Sequence, residues 1–147
     1  MKKKRVHKED IRSIANNLLD DCEKNASNWA SVVALSGDLG AGKTTLTKNI
    51  AQILEIKIDV TSPTFVIEKI YGIPKKTKSR FSRLVHVDAY RLDSGKELDT
   101  LGWHEIVNDP KNIIFVEWPE NVKESLPENT IWVKLTHAGD TVRDIEW

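Results

Sequence analysis

Cysteine is nearly absent: Cys22 is the one cysteine in 147 residues, so the chain forms no internal disulfide and no metal site built on paired thiolates. Long apolar runs are absent as well. No stretch approaches the ~18 residues of a membrane span, and the lysine-rich start lacks the apolar core of a signal peptide. The expectation is a protein of the reducing cytoplasm with no membrane partner. Internal repeats and low-complexity tracts are missing too, which excludes a solenoid and leaves a single domain, residues 1–147, as the expected organisation. Net charge is the last absence, with 22 basic residues against 22 acidic ones.

That neutrality conceals an uneven distribution. Lys2, Lys3, Lys4, Arg5 and Lys8 crowd into residues 2–8, and Lys75, Lys76, Lys78, Arg80 and Arg83 into residues 75–83, with no acid in either stretch. The rest of the chain then carries about −10. One reading makes residues 1–8 a solvated, disordered tail and 72–82 a solvated hairpin tip. The other has these segments touching RNA or an acidic partner.

What the chain does contain is Gly37-Asp38-Leu39-Gly40-Ala41-Gly42-Lys43-Thr44, a match to the phosphate-loop pattern Gly-x-x-x-x-Gly-Lys-[Ser/Thr]. Val32-Val33-Ala34-Leu35 before it reads as a strand. Thr45 to Leu54 after it carries Leu46, Ile50, Ile53 and Leu54 at helical spacing. Strand, glycine loop and helix are the context in which such a loop binds phosphate, through successive backbone N–H groups and the positive end of the helix. Lys43 is placed to reach the β- and γ-phosphates, and the Thr44 hydroxyl to ligate the Mg²⁺ that bridges them. Chance would produce the pattern in roughly one chain of this length in 200, and the flanking elements lower that figure.

Ile11, Ile14, Leu18, Leu19 and Cys22 share one helical face, so a helix is expected from Asp10 to Cys22, with Cys22 in the core. Ile58 to Tyr71 reads as a strand interrupted near Ser62-Pro63, resuming at Thr64-Phe65-Val66-Ile67. A long tip over Gly72 to Ser82 leads to a returning strand, Arg83 to Val87. Ser94 and Glu97 form a capping box for a short helix closed by Gly102, and Trp103 to Val107 adds a turn. Ile113-Ile114-Phe115-Val116 suits a strand covered on both faces. Two strands near Thr130 to Thr136 and Val142 to Trp147 flank a turn at Ala138-Gly139-Asp140. The expected fold is α/β, a P-loop NTPase-like three-layer fold with a central mixed, mostly parallel sheet.

A nucleotide site with Mg²⁺ needs an acid nearby, and two acids end apolar strands: Asp88 and Glu117. Ligands of open α/β sheets collect at the carboxyl ends of strands, which favours Glu117. His86 alternates with Asp88 and so can share its face, although a packing role is the simpler reading. No Asn-Lys pair exists, so the guanine-recognition motif of GTPases is absent, and Asp99-Thr100-Leu101-Gly102 sits at a helix end instead of after a strand. A small-molecule kinase and a nucleotide-dependent binding module remain as alternatives to an ATPase.

Four motifs in order, Gly37 to Thr45, Thr61-Ser62-Pro63-Thr64-Phe65, His86-Val87-Asp88-Ala89-Tyr90-Arg91 and Glu117-Trp118-Pro119-Glu120, make the chain resemble the TsaE family, formerly YjeE. These are small bacterial ATPases of tRNA threonylcarbamoyladenosine modification. The resemblance spans nearly the whole chain. It implies a Mg²⁺-dependent ATPase whose cycle drives the TsaD and TsaB proteins, which themselves modify the adenosine beside the anticodon. It further implies that Asp38, Leu39, Gly40, Ala41, Gly42, Lys43, Thr44 and Thr45 hold the phosphates of ATP, and that Thr44 and Glu117 surround Mg²⁺. Lys43, Asp88 and Glu117 would be catalytic, with Asp88 orienting water or a magnesium-bound water. Ser62, Pro63 and Thr64 would form a switch-like segment and Trp118 would lie beside the nucleotide. Asp10 and Arg143 are the nearest matches to the family's adenine pocket, with Asp10 standing where a hydroxyl residue is expected. Contact with tRNA would be indirect or through 75–83, a stretch longer and more basic than the family's usual tip.

Overall fold

The computed structural model describes residues 1–57, 59–61 and 67–147. Helix α1, Ile11–Lys24, buries Ile11, Ile14, Leu18, Leu19 and Cys22 as their spacing predicts. Strand β2, Ser31–Ser36, leads through the glycine loop into α2, Lys43–Ile53, whose Leu46 and Ile50 are fully buried. Strands β4, Arg83–Asp88, and β5, Asn112–Glu117, carry the two candidate acids at their ends.

Among the described residues one sheet holds seven strands in the order β1-β7-β6-β2-β5-β4-β3, where β1 is Lys3–His7, β3 Glu68–Gly72, β6 Ile131–His137 and β7 Val142–Glu146. The central four, β6, β2, β5 and β4, are parallel, and β1, β7 and β3 join antiparallel at the flanks. Continuous apolar runs in the middle follow from burial on both faces. Ile113 and Phe115 of β5 face α1 and α2. Ile114 and Val116 face the other layer, which is built from α3 (Lys96–Asp99), α4 (Trp103–Val107) and the 3₁₀ segment Pro119–Ser125. This is the expected three-layer, mixed but mostly parallel fold.

The expected hairpin tip is present between β3 and β4, but both basic segments are held more firmly than solvated charge runs. Residues 3–7 are not a loose tail but strand β1, paired with β7 in the register Lys3↔Glu146 and Arg5↔Asp144. That register sets bases beside acids: Lys3 pairs with Glu146 at 3.0 Å and Arg5 with Asp144 at 2.7 Å, while Lys2 reaches Asp21 at 2.7 Å. The tip between β3 and β4 is packed as well. Ile73 and Phe81 join the core, and Arg80 donates to the carbonyls of Cys22, Asn25 and Pro110 and to Ser31 Oγ. The guanidinium thus caps the end of α1 through Nη2, which donates to the Cys22 and Asn25 carbonyls.

Smaller shifts have local causes. Strand β3 begins at Glu68, so the strand expected at 64–67 falls mostly outside the described residues. The expected capping box is replaced: Glu97 Oε1 accepts from the Asp93 N–H at 3.0 Å, the N-cap is Gly95, which has no side-chain cap, and α3 stops at Asp99. Asp99 therefore lies in a helix, away from any strand end. No helix among the described residues is long and apolar enough to cross a membrane.

Candidate nucleotide site

The parallel strands deliver β2, β4 and β5 with their carboxyl ends together, so the glycine loop, Asp88 and Glu117 meet at one edge of the sheet. Gly37 has to be glycine on packing grounds, since a Cβ there would lie 2.5 Å from the Leu135 carbonyl oxygen. Gly42 opens α2 with φ of +109°, a left-handed conformation that L side chains resist. Buried Arg143 braces the loop from outside, donating from Nε to Ala41 O at 3.1 Å and from Nη2 to Gly40 O at 3.3 Å. Because a trans peptide opposes its C=O and N–H, that bond turns the Gly42 N–H away from Arg143.

Lys43 is 6% exposed, and its ammonium donates to the carbonyls of Gly37 and Asp38. It also lies 4.4 Å over the Trp118 ring. Burial holds its pKa below the ordinary lysine value, and the charges of Glu117, Glu120, Asp88 and Asp38 offset only part of that. Trp118 reaches this place through a left-handed backbone, φ of +56°, directly after β5. Tyr90 packs against it, centroids 5.2 Å apart.

Asp88 and Glu117 are direct register partners on β4 and β5. Glu117 is buried and its Oε1 accepts from Thr44 Oγ1 at 2.7 Å. Its Oε2 lies 3.6 Å from Nε2 of fully buried His86, beyond hydrogen-bond distance, and neither ring nitrogen of His86 has a hydrogen-bond partner. Burial pushes the Glu117 carboxyl up, but His86, the Thr44 hydroxyl and Lys43 together outweigh it and leave the pKa below the ordinary carboxylate value. Asp88, 6% exposed, accepts the Tyr90 N–H on Oδ1 at 3.0 Å.

These groups surround a cleft of about 450 Å³, with Leu39, Gly40 and Gly42 to Thr45 on one wall and Asp88, Tyr90, Glu117 and Trp118 on the other. A smaller hollow of about 150 Å³ adjoins it, formed by Val6, His7, Lys8 and Ile11 with Gly40 to Gly42, Thr45 and Arg143. The structure brings Arg143 to that hollow but leaves Asp10 exposed in the 3₁₀ turn Lys8–Asp10, outside its wall. Asp38 lines a different hollow, with Ser36 and Glu120. Ser62, Pro63 and Thr64 lie outside the described residues.

Two sets of residues escape the sequence. Val6, His7 and Lys8 reach the small hollow through the end of β1 and the 3₁₀ turn after it, for which the charge run gave no signal. His86 touches Glu117 across two strands, a contact that its alternation with Asp88 hinted at without naming a partner.

The donor set suits Mg²⁺. Among the described residues no cluster of three or more His, Cys, Asp or Glu forms a protein cage. Instead a hydroxyl and a carboxylate stand 2.7 Å apart at the mouth of the loop. Mg²⁺ takes few protein oxygens and completes its shell with phosphates and water.

Fold and site define an α/β domain of the phosphate-loop NTPase type. Comparison with known proteins narrows the class. The family model of the threonylcarbamoyl adenosine biosynthesis protein TsaE matches residues 6–145. The chain is 40% identical over 121 residues to the tRNA threonylcarbamoyladenosine biosynthesis protein TsaE of Streptomyces coelicolor, covering 78% of this chain and 74% of that protein. Its namesake in Haemophilus influenzae is 38% identical over 117 residues, 80% of this chain and 69% of that one. The crystal structure of YdiB from Bacillus subtilis superposes with a TM-score of 0.67 at 31% identity, covering 98% of this chain and 82% of that one. This chain belongs to the TsaE family of tRNA threonylcarbamoyladenosine biosynthesis.

Proposed function

We propose that the chain binds ATP with Mg²⁺ in the 450 Å³ cleft and hydrolyses it in the cytoplasm, slowly alone and faster with the TsaD and TsaB proteins, whose complex it cycles. The observation that carries this reading is the Thr44–Glu117 hydrogen bond of 2.7 Å at the head of a phosphate loop, with Asp88 in register beside Glu117. Loop N–H groups and the start of α2 receive the phosphates. Lys43 leaves the Gly37 and Asp38 carbonyls to reach them, a modest exchange for an ammonium that burial has already partly desolvated. Thr44 and Glu117 hold the Mg²⁺, which supplies positive charge against the phosphates. Asp88 orients the attacking water, and the Trp118 and Tyr90 rings wall the cleft. The hollow beside Arg143 accommodates the base.

A second reading, a nucleotide-dependent assembly module with incidental hydrolysis, has support of its own. Among the described residues lining the cleft, Lys43 is the one cation, so the cleft is better furnished for holding a nucleotide than for fast phosphoryl transfer. The experiment is ATP turnover with and without purified TsaD and TsaB, using wild type, Lys43→Ala and Asp88→Asn. Turnover that rises with the partners and collapses in both variants supports the ATPase. Normal tRNA modification by Asp88→Asn without turnover would establish the assembly module instead.

A further inference from the structure

The two basic segments have different fates in the fold. At the chain start, Lys2, Lys3 and Arg5 are each matched to a carboxylate. In the tip, Arg80 is spent on α1 and Arg83 on Asp109. Lys75, Lys76 and Lys78 remain exposed, and among the described residues none of them is ion-paired. They project from a fixed loop: Thr77 Oγ1 donates to Glu55 at 2.7 Å, and the Arg80 N–H donates to Glu23 at 3.2 Å. Those two acids face the loop backbone and Thr77 and only partly offset the lysines. The loop lies at the amino ends of β4 and β5, opposite the nucleotide cleft.

A half-exposed tryptophan stands at the same end of the sheet, just before β2. Arg80 Nη2 contacts both Asn25 O and Ser31 Oγ, the two ends of the segment that carries Trp29. Trp29 is 51% exposed, its backbone N–H donates to Ser27 Oγ at 3.2 Å, and it borders an open groove of about 600 Å³ with Asn108, Pro127 and Glu128. Unpaired lysines alone would suit any polyanion. Lysines and an exposed indole at one end of the sheet suit single-stranded nucleic acid, which offers phosphates to the one and a base face to the other along its length.

We propose that this end of the sheet is an RNA-binding face, in which Lys75, Lys76 and Lys78 contact phosphates and Trp29 stacks on a base. The RNA chemistry follows from membership of a tRNA-modifying family and does not depend on ATP hydrolysis. Since the nucleotide cleft lies at the other end, RNA and nucleotide occupy the chain together.

The test is fluorescence anisotropy of a labelled, unmodified tRNA transcript with the full chain across a salt series, circular dichroism confirming that each variant folds. K75E/K76E/K78E is expected to bind more than tenfold more weakly, with a log–log salt slope flatter by about 2, as loss of three single-strand phosphate contacts requires. W29A should lose roughly 5- to 100-fold in affinity with an unchanged slope. A non-hydrolysable ATP analogue should not displace the tRNA. Unchanged affinity and slope in the triple variant would overturn the proposal, as would a polyglutamate peptide of equal charge competing as well as RNA, which would make the partner an acidic protein. Full affinity in W29A would remove the stacking contact.

Discussion

Arg80→Ala tests whether the hairpin tip is a structural part of the domain. Its guanidinium makes two short contacts, to Cys22 O at 2.8 Å and Ser31 Oγ at 2.9 Å, and two longer ones, to Pro110 O at 3.2 Å and Asn25 O at 3.4 Å. It also lies 4.1 Å from the Phe81 ring centroid. Each short charge-assisted bond contributes about 1.5 to 3 kcal/mol net, and the ring contact about 0.5 to 1. The buried Nε, which has no partner, takes back part of that gain. A loss of about 3 kcal/mol results, a large share of the ~5–15 kcal/mol that holds a domain together. For a chain of this size it lowers Tm by about 10 °C, measurable by thermal circular dichroism. Arg80→Lys should recover only a minor part, because an ammonium cannot span the four acceptors. A Tm within about 2 °C of wild type in Arg80→Ala would return the tip to a solvated loop.

Further outcomes follow from the core and the site. Leu18→Ala, fully buried between α1 and the sheet, should cost about 3–5 kcal/mol in chemical denaturation, with no change in urea m-value. Burial pushes the Cys22 thiol from 9.0 up to about 12, so the native protein should resist thiol reagents at pH 8 and react on unfolding. The same shift makes stability fall as pH rises from about 9 towards 12, where the unfolded thiol ionises and the folded one does not. Glu117 has the opposite sign: its lowered pKa contributes stability above the ordinary carboxylate range, lost as pH falls through the folded value. Glu117→Gln should therefore show a flatter acid limb in Tm against pH, together with weaker Mg²⁺ dependence of nucleotide binding.

Local pattern carried much of the fold. The α1 stripe, the apolar runs of β2 and β5 and the glycine loop each announce themselves within ten or so residues, because burial on one or two faces leaves its period in the sequence. Asp88 and Glu117 were legible for a related reason, as acids ending apolar runs in an α/β sheet. What stayed hidden depends on pairing between distant residues. Nothing in Lys-Lys-Arg-Val-His at 3–7 announces that acids at 144 and 146 will lie opposite, so a strand looked like a tail. Arg80 looked like one more surface charge until the end of α1 came within its reach. Asp10 was assigned to an adenine pocket by resemblance alone, and the 3₁₀ turn leaves it exposed, outside the hollow that Arg143 lines. The His86–Glu117 contact likewise needed the neighbouring strand to be known.

The central claim is that the loop at 37–44 is a working MgATP site, and isothermal calorimetry of MgATP into wild type and Lys43→Ala tests it most directly. Saturable binding at one site per chain, weakened by more than about tenfold in Lys43→Ala, is the predicted result, since the variant removes the cation lining the cleft. Equal binding by both proteins, or none by the wild type in the presence of Mg²⁺, would contradict the account.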